Sequence, residues 1–143
     1  TTVLAKAIIP PRRKKGDAIY REQVRLFGVA KAILDRVEAG QLIMHVPSVA
    51  IVEIAAVAAR LTGNEERGVQ AAEYVKAHSN LVQDNVLLDA AVETAARTKA
   101  SGFDSVFIAC AKLTSSVLLT DDKRMYEAAV AAGVEARLLR QLQ

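Results

Sequence analysis

Short apolar runs separated by helix-length segments constrain this chain most. Four of them read as strands: Leu42 to His45, Leu81 to Gln83, Val117 to Leu119 and Glu135 to Leu139. Elsewhere apolar residues recur at helical spacing. Ala18 to Glu38 carries Val24, Phe27, Ala30, Ile33, Leu34 and Val37, with Gly40 where a helix stop is expected. Pro47 and Ser48 open a helix reaching Leu61, before Thr62 and Gly63 break it. Further helices are expected over Glu65 to Ala77, Val86 to Lys99, Phe103 to Leu113 and Asp122 to Ala132. The opening TTVLAKAII reads as the end of a strand passing into a loop or helix. Short strands alternating with helices predict an α/β fold, a three-layer domain whose central, mainly parallel sheet is flanked by helices. Such sheets bind ligands beyond the carboxyl ends of their strands.

With 143 residues and no linker or internal repeat, residues 1–143 read as one domain. Only six residues are Phe or Tyr and none is Trp, so the core must be built mostly from Ala, Val, Leu and Ile. No 18-residue uncharged apolar span is present, which argues against a membrane helix. A single cysteine, Cys110, cannot close an internal disulfide and suits a reducing, cytoplasmic setting. His45, His78 and Cys110 are far apart in sequence, which disfavours a structural zinc site.

The net charge is only +3, but its distribution is uneven. Arg12, Arg13, Lys14 and Lys15 follow the stiff pair Pro10 and Pro11. The run reads either as a solvated loop or as a lip that contacts the backbone of RNA, since clustered cations gain by counterion release from polyanions.

Four acids, at three places in the chain, stand out. Glu53 is the one polar residue in VAIVEIAAVAA, where its helical neighbours are Val49, Ala50, Ala56 and Val57. A carboxylate there must reach water, pair with a cation or meet a ligand, because burying it alone is costly. Asp104 follows Ser101 with S-x-x-D spacing, which also suits a helix cap. Asp121 and Asp122 end the apolar run VLLT and also read as the cap and first turn of the next helix. Gathered at one edge of an α/β sheet, such carboxylates repel each other, and a hard divalent cation with oxygen ligands relieves that repulsion. The chain has no G-x-x-x-x-G-K-[ST] loop, no G-x-G-x-x-G fingerprint and no G-x-S-x-G elbow.

In this order the motifs resemble those of PIN domains, the small metal-dependent ribonucleases that include the VapC-type toxins. PSVAIVE, Pro47 to Glu53, is similar to the family's P-S followed by a helix bearing a Glu. FDSVFIACA places Asp104 on the family's second helical acid. VLLTDDKRMYEAA has the T-x-D spacing, with Thr120 on the Thr and Asp122, not Asp121, on the Asp. The resemblance implies Mg²⁺ or Mn²⁺ held directly or through water by Glu53, Asp104 and Asp122. Thr120 would orient a ligand or water, and Asp121 would be a supporting acid. It implies endonucleolytic cleavage of single-stranded RNA, a homodimer and, for the toxin branch of toxin–antitoxin pairs, an antitoxin protein. The family pattern opens with a strand ending in D-T/S-x-V/L, whose Asp is a metal ligand. Thr1 stands where the residue after that Asp falls, so the expectation is a domain lacking most of its first strand. The alternative is a non-catalytic PIN-like scaffold that holds RNA or a protein without cutting.

Overall fold

The computed structural model of the chain describes residues 1–12 and 16–143. Helix α1 spans Thr2–Ile8, so the opening residues are helical almost from the start. Helix α2, Asp17–Glu38, is followed by strand β1, His45–Pro47, and helix α3, Val49–Thr62. Helix α4, Glu65–His78, leads through strand β2, Asn80–Val82, to helix α5, Asp84–Thr98. Helix α6, Gly102–Leu113, strand β3, Leu118–Thr120, helix α7, Lys123–Ala131, and strand β4, Ala136–Leu138, complete the order. A single 3-10 turn, Leu139–Gln141, follows β4.

The helices form close to where their apolar spacing puts them, and the strands shift. β1 begins at His45 rather than Leu42, because its ladder starts where the Asn80 N–H donates to the Met44 carbonyl at 2.8 Å. The single central sheet expected from the sequence is not what forms among the described residues. β1 pairs in parallel with β2, β3 pairs in parallel with β4, and no ladder joins the two pairs. Helix α6 packs against both β1 and β3 and so bridges the pairs on one side.

The main core lies between these pairs and helices α3, α4, α6 and α7. Ala50, Ile54, Val75 and Ile108 are fully buried in it, and Val46, Leu118 and Met125 nearly so. Burying each Ile or Val contributes roughly 1.5–3 kcal/mol. A second cluster joins α1 and α2 to the C-terminal turn through Ala7, Leu26, Ala30, Leu34 and Leu139. Alanine at so many core positions lets helices approach closely. At Gly68 of α4 an added Cβ would lie 2.6 Å from the Ala55 carbonyl oxygen and 2.9 Å from the Ala59 Cβ, both on α3. Gly68→Ala is therefore expected to destabilise the fold. Alanine's helix propensity returns about 1 kcal/mol, but pushing two packed backbones apart costs roughly 1–3 kcal/mol. A urea midpoint below that of the parent is the expected result, and a higher midpoint means the helices can part freely.

The two ends of α3 are also fixed. The Val49 N–H at its start donates to Asp84 Oδ1 of α5 at 3.2 Å. At its end Gly63 has φ +67°, a left-handed conformation that glycine adopts without a Cβ penalty. Glu53 is thus carried on a rod held by β1, α4 and α5.

Candidate active site

Glu53 is half-buried on the face of α3 that turns toward α1. Its Oε2 accepts a hydrogen bond from the Thr1 hydroxyl at 2.7 Å. The carboxylate that is anomalous in the sequence thus has a polar partner and is not orphaned. Burial pushes the Thr1 amino group below its ordinary value, while the charges of Glu53 and Asp104 pull it the other way. Two of the three expected acids, from α3 and α6, therefore act on one point at the head of α1. Asp104 is half-buried in the first turn of α6, where its N–H donates to Ser101 Oγ at 3.1 Å. The capping role that the S-x-x-D spacing allowed belongs to Ser101, and the Asp104 carboxylate is not used by the cap.

The aspartate pair divides its work. Asp122 is exposed and caps α7, with Oδ1 accepting from the Arg124 N–H at 2.7 Å and the Met125 N–H at 3.2 Å. Its own N–H donates to Thr120 Oγ1 at 3.1 Å, and the buried Thr120 hydroxyl is 3.3 Å from Met125 Sδ. Thr120 thus locks the turn that presents Asp122. Asp121 is buried, and its carboxylate pairs with Lys6 of α1 and, at 2.9 Å, with Arg140 Nε. Arg140 also donates to the Asp121 carbonyl at 2.8 Å. Burial pushes the Asp121 carboxyl up, but the hydrogen bonds and charges of Lys6 and Arg140 outweigh it and hold the carboxyl below its ordinary value. Asp121 fastens α1 and the C-terminal turn to the end of β3.

Beside Glu53 opens a cavity of about 570 Å³, between α1, the Ile9–Arg12 segment, α2 and α3. Glu53, Val57 and Arg60 face it at i, i+4 and i+7 of α3, which places them on one stripe of the helix. Lys6 and Arg12 add cations, and Phe27 adds an aromatic ring. Arg12 is held there by a long contact of 3.4 Å to the Thr62 carbonyl. Arg13, Lys14 and Lys15 of the basic run lie outside the described residues. Lys6, Arg60 and Arg140 were not anticipated. Arg60 was legible as the residue seven positions after Glu53, whereas the partners of Asp121 come from 115 and 19 residues away in sequence and left no local signal.

Among the described residues, no three His, Cys, Asp or Glu side chains gather closely enough to hold a metal ion between them. The structure relates Glu53 to Asp104 through Thr1 and leaves Asp122 capping α7. Glu53 and Asp104 nevertheless carry the hard oxygen donors that a divalent cation takes. Both are half-buried, and Mg²⁺ is commonly held by one or two carboxylates with waters and phosphate oxygens completing its shell.

A family model, the PIN domain, matches residues 16–131. The chain belongs to the PIN domain family. PIN domains are generally nucleases, act on RNA and usually bind divalent metals in the active site. The matched span contains Glu53, Asp104, Thr120 and Asp122, and leaves out Thr1, Lys6, Arg12 and Arg140. Searches of curated proteins and of solved structures each gave no match. No helix among the described residues is long and apolar enough to cross a membrane.

Proposed function

We propose that the chain is a metal-dependent endoribonuclease of single-stranded RNA, acting as the toxin of a toxin–antitoxin pair in the cytoplasm. The observation that carries the nuclease reading is the cavity where Glu53 meets Arg12, Arg60 and Lys6, in a PIN-family chain. A carboxylate beside three cations suits a phosphodiester, since the cations bind phosphate oxygens while the acid holds what attacks. The toxin assignment, with its antitoxin and homodimer, is supported by the order of the VapC-type motifs alone.

In this reading Glu53 and Asp104 hold Mg²⁺ or Mn²⁺, with Asp122 contributing from the end of β3 through a water. When bound, the metal would lower the pKa of a coordinated water. The residues themselves position the RNA. Arg60 and Arg12, both toward the C-terminal end of α3, hold the backbone beside Glu53, and Phe27 offers a face on which an unpaired base stacks. Thr120 keeps the Asp122 turn fixed, and Asp121 keeps Lys6 at the cavity wall.

An internally labelled RNA pool incubated with the protein and Mn²⁺ tests the reading. Internal fragments are expected. Retention of intact RNA without cutting would favour a PIN-like scaffold. Arg12→Ala with Arg60→Ala should weaken RNA binding and flatten its salt dependence. Each lost phosphate contact should lower the log–log slope by about 0.7. An unchanged slope in filter-binding titrations would remove both arginines from the RNA path.

A further inference from the structure

The α2 wall of the Glu53 cavity differs in chemistry from the other walls. Lys6 reaches the cavity from α1, Arg12 from the segment that follows α1, and Glu53 and Arg60 from α3, so these walls carry charge. Helix α2 contributes only Gln23 and Phe27, both neutral. They stand at i and i+4, which puts them on one face of the helix. The chain has three phenylalanines. Phe103 and Phe107 lie with ring centroids 5.2 Å apart and pack in the main core. Phe27 joins none of the core clusters among the described residues, yet it is half-buried at the cavity wall. Gln23 is exposed there, and its carboxamide has no hydrogen-bond partner among the described residues. An aromatic ring that serves no core and an unengaged carboxamide one turn away share one wall.

We infer that the cavity seats one unpaired adenine of the RNA, stacked on Phe27 and read along its edge by Gln23, an inference that rests on the proposal that RNA enters this cavity. At about 570 Å³ the cavity falls within the roughly 300–1,000 Å³ of small-molecule sites, room for a base with its sugar. Single-stranded RNA is recognised by splaying a base out, stacking it on an aromatic ring and bonding its free edge. A carboxamide presents an acceptor and two donors side by side. Adenine matches that pattern along two edges, because its N6 amino donor lies between the acceptors N7 and N1. The N7 and O6 of guanine are both acceptors, which suits Arg or Lys rather than Gln. Cytosine and uracil are single rings and cover less of Phe27. The division of the walls then orders the strand. The base lies against α2, and the adjoining phosphate meets the cations beside Glu53.

The test uses four labelled strands of about ten uridines, a length within the site sizes of single-strand binders, with A, G, C or U at the centre. Each is titrated against the protein by fluorescence anisotropy in excess chelator, so that binding is read without cutting. The adenine strand should bind at least about fivefold more tightly than the other three, the lower end of what one bidentate base contact discriminates. Gln23→Leu should bring the four strands level. Phe27→Leu should weaken the adenine strand by at least about fivefold, the lower end for loss of a stacked base. Neither residue belongs to a core cluster, so both variants should melt with the parent. Equal binding of the four strands by the parent would overturn the inference and leave the RNA reading standing. An adenine preference that survives in Gln23→Leu would overturn it as well, and a guanine preference would pass the base reading to the arginines. Failure to bind any strand would remove the RNA reading and the inference with it.

Discussion

Glu53→Gln is expected to lower the rate of RNA cleavage by at least about 100-fold, the upper end of what is lost when groups one shell further from a metal are removed. The substitution keeps the shape of the side chain and an oxygen that can accept from the Thr1 hydroxyl, so the hydrogen bond at 2.7 Å can survive. What disappears is the charge that acts with Asp104 on the head of α1. With that hydrogen bond kept on a half-buried side chain, metal-free stability should change by less than about 1 kcal/mol. The metal response should change far more. A cation that binds only the folded protein stabilises it by about 2.7 kcal/mol at a hundredfold excess over Kd, roughly 5–10 °C in Tm for a domain of this size. Melts with millimolar Mn²⁺ should show that rise in the parent and little of it in Glu53→Gln. An equal rise in both proteins would place the metal elsewhere.

The second large effect separates the adjacent aspartates. Asp122→Asn should remove cleavage while leaving stability nearly intact, because asparagine caps a helix about as well as aspartate. Its capping bonds to Arg124 and Met125 need only a carbonyl oxygen. Asp121→Asn should do the reverse. It leaves Lys6 and Arg140 without their carboxylate, a loss of roughly 1–3 kcal/mol. Both cations are partly exposed, at 35% and 55%, so water screens the loss toward the lower end. The pH dependence identifies the source. The folded carboxyl of Asp121 titrates below its unfolded value, so its stabilisation is complete above the ordinary carboxylate range and disappears as pH falls through the folded value. Asp121→Asn should therefore flatten the acid limb of stability below about pH 4. If Asp121→Asn is the inactive variant instead, the T-x-D spacing has been set one residue out of register.

Helical periodicity was legible because each helix needs only its own apolar stripe. The spans of α2, α3 and α6 follow directly from Leu34, Ile54 and Ile108 and their neighbours. Strand pairing was less legible. A three-residue strand such as Leu118–Thr120 has no period of its own, and its ladder depends on β4 arriving from beyond α7. The anomaly of Glu53 could be seen, since an acid among alanines and valines needs a partner. The partner, Thr1, is 52 residues away and could not be seen. The Asp121–Asp122 doublet showed its cap locally, through the turn after Thr120, but not its clamp, which is made by tertiary contact with Lys6 and Arg140. The one-sheet expectation assumed that strands alternating with helices all share a ladder. Among the described residues β1 pairs with β2 and β3 with β4, and no ladder joins the two pairs.

The central claim is that divalent metal at the Glu53 cavity cuts RNA. Its most direct test is the time course of a labelled single-stranded RNA with the parent protein in Mn²⁺, in excess chelator, and in Mn²⁺ restored after chelation. Cleavage should proceed, stop and resume in that order. Cutting that continues undiminished through the chelator would contradict the claim.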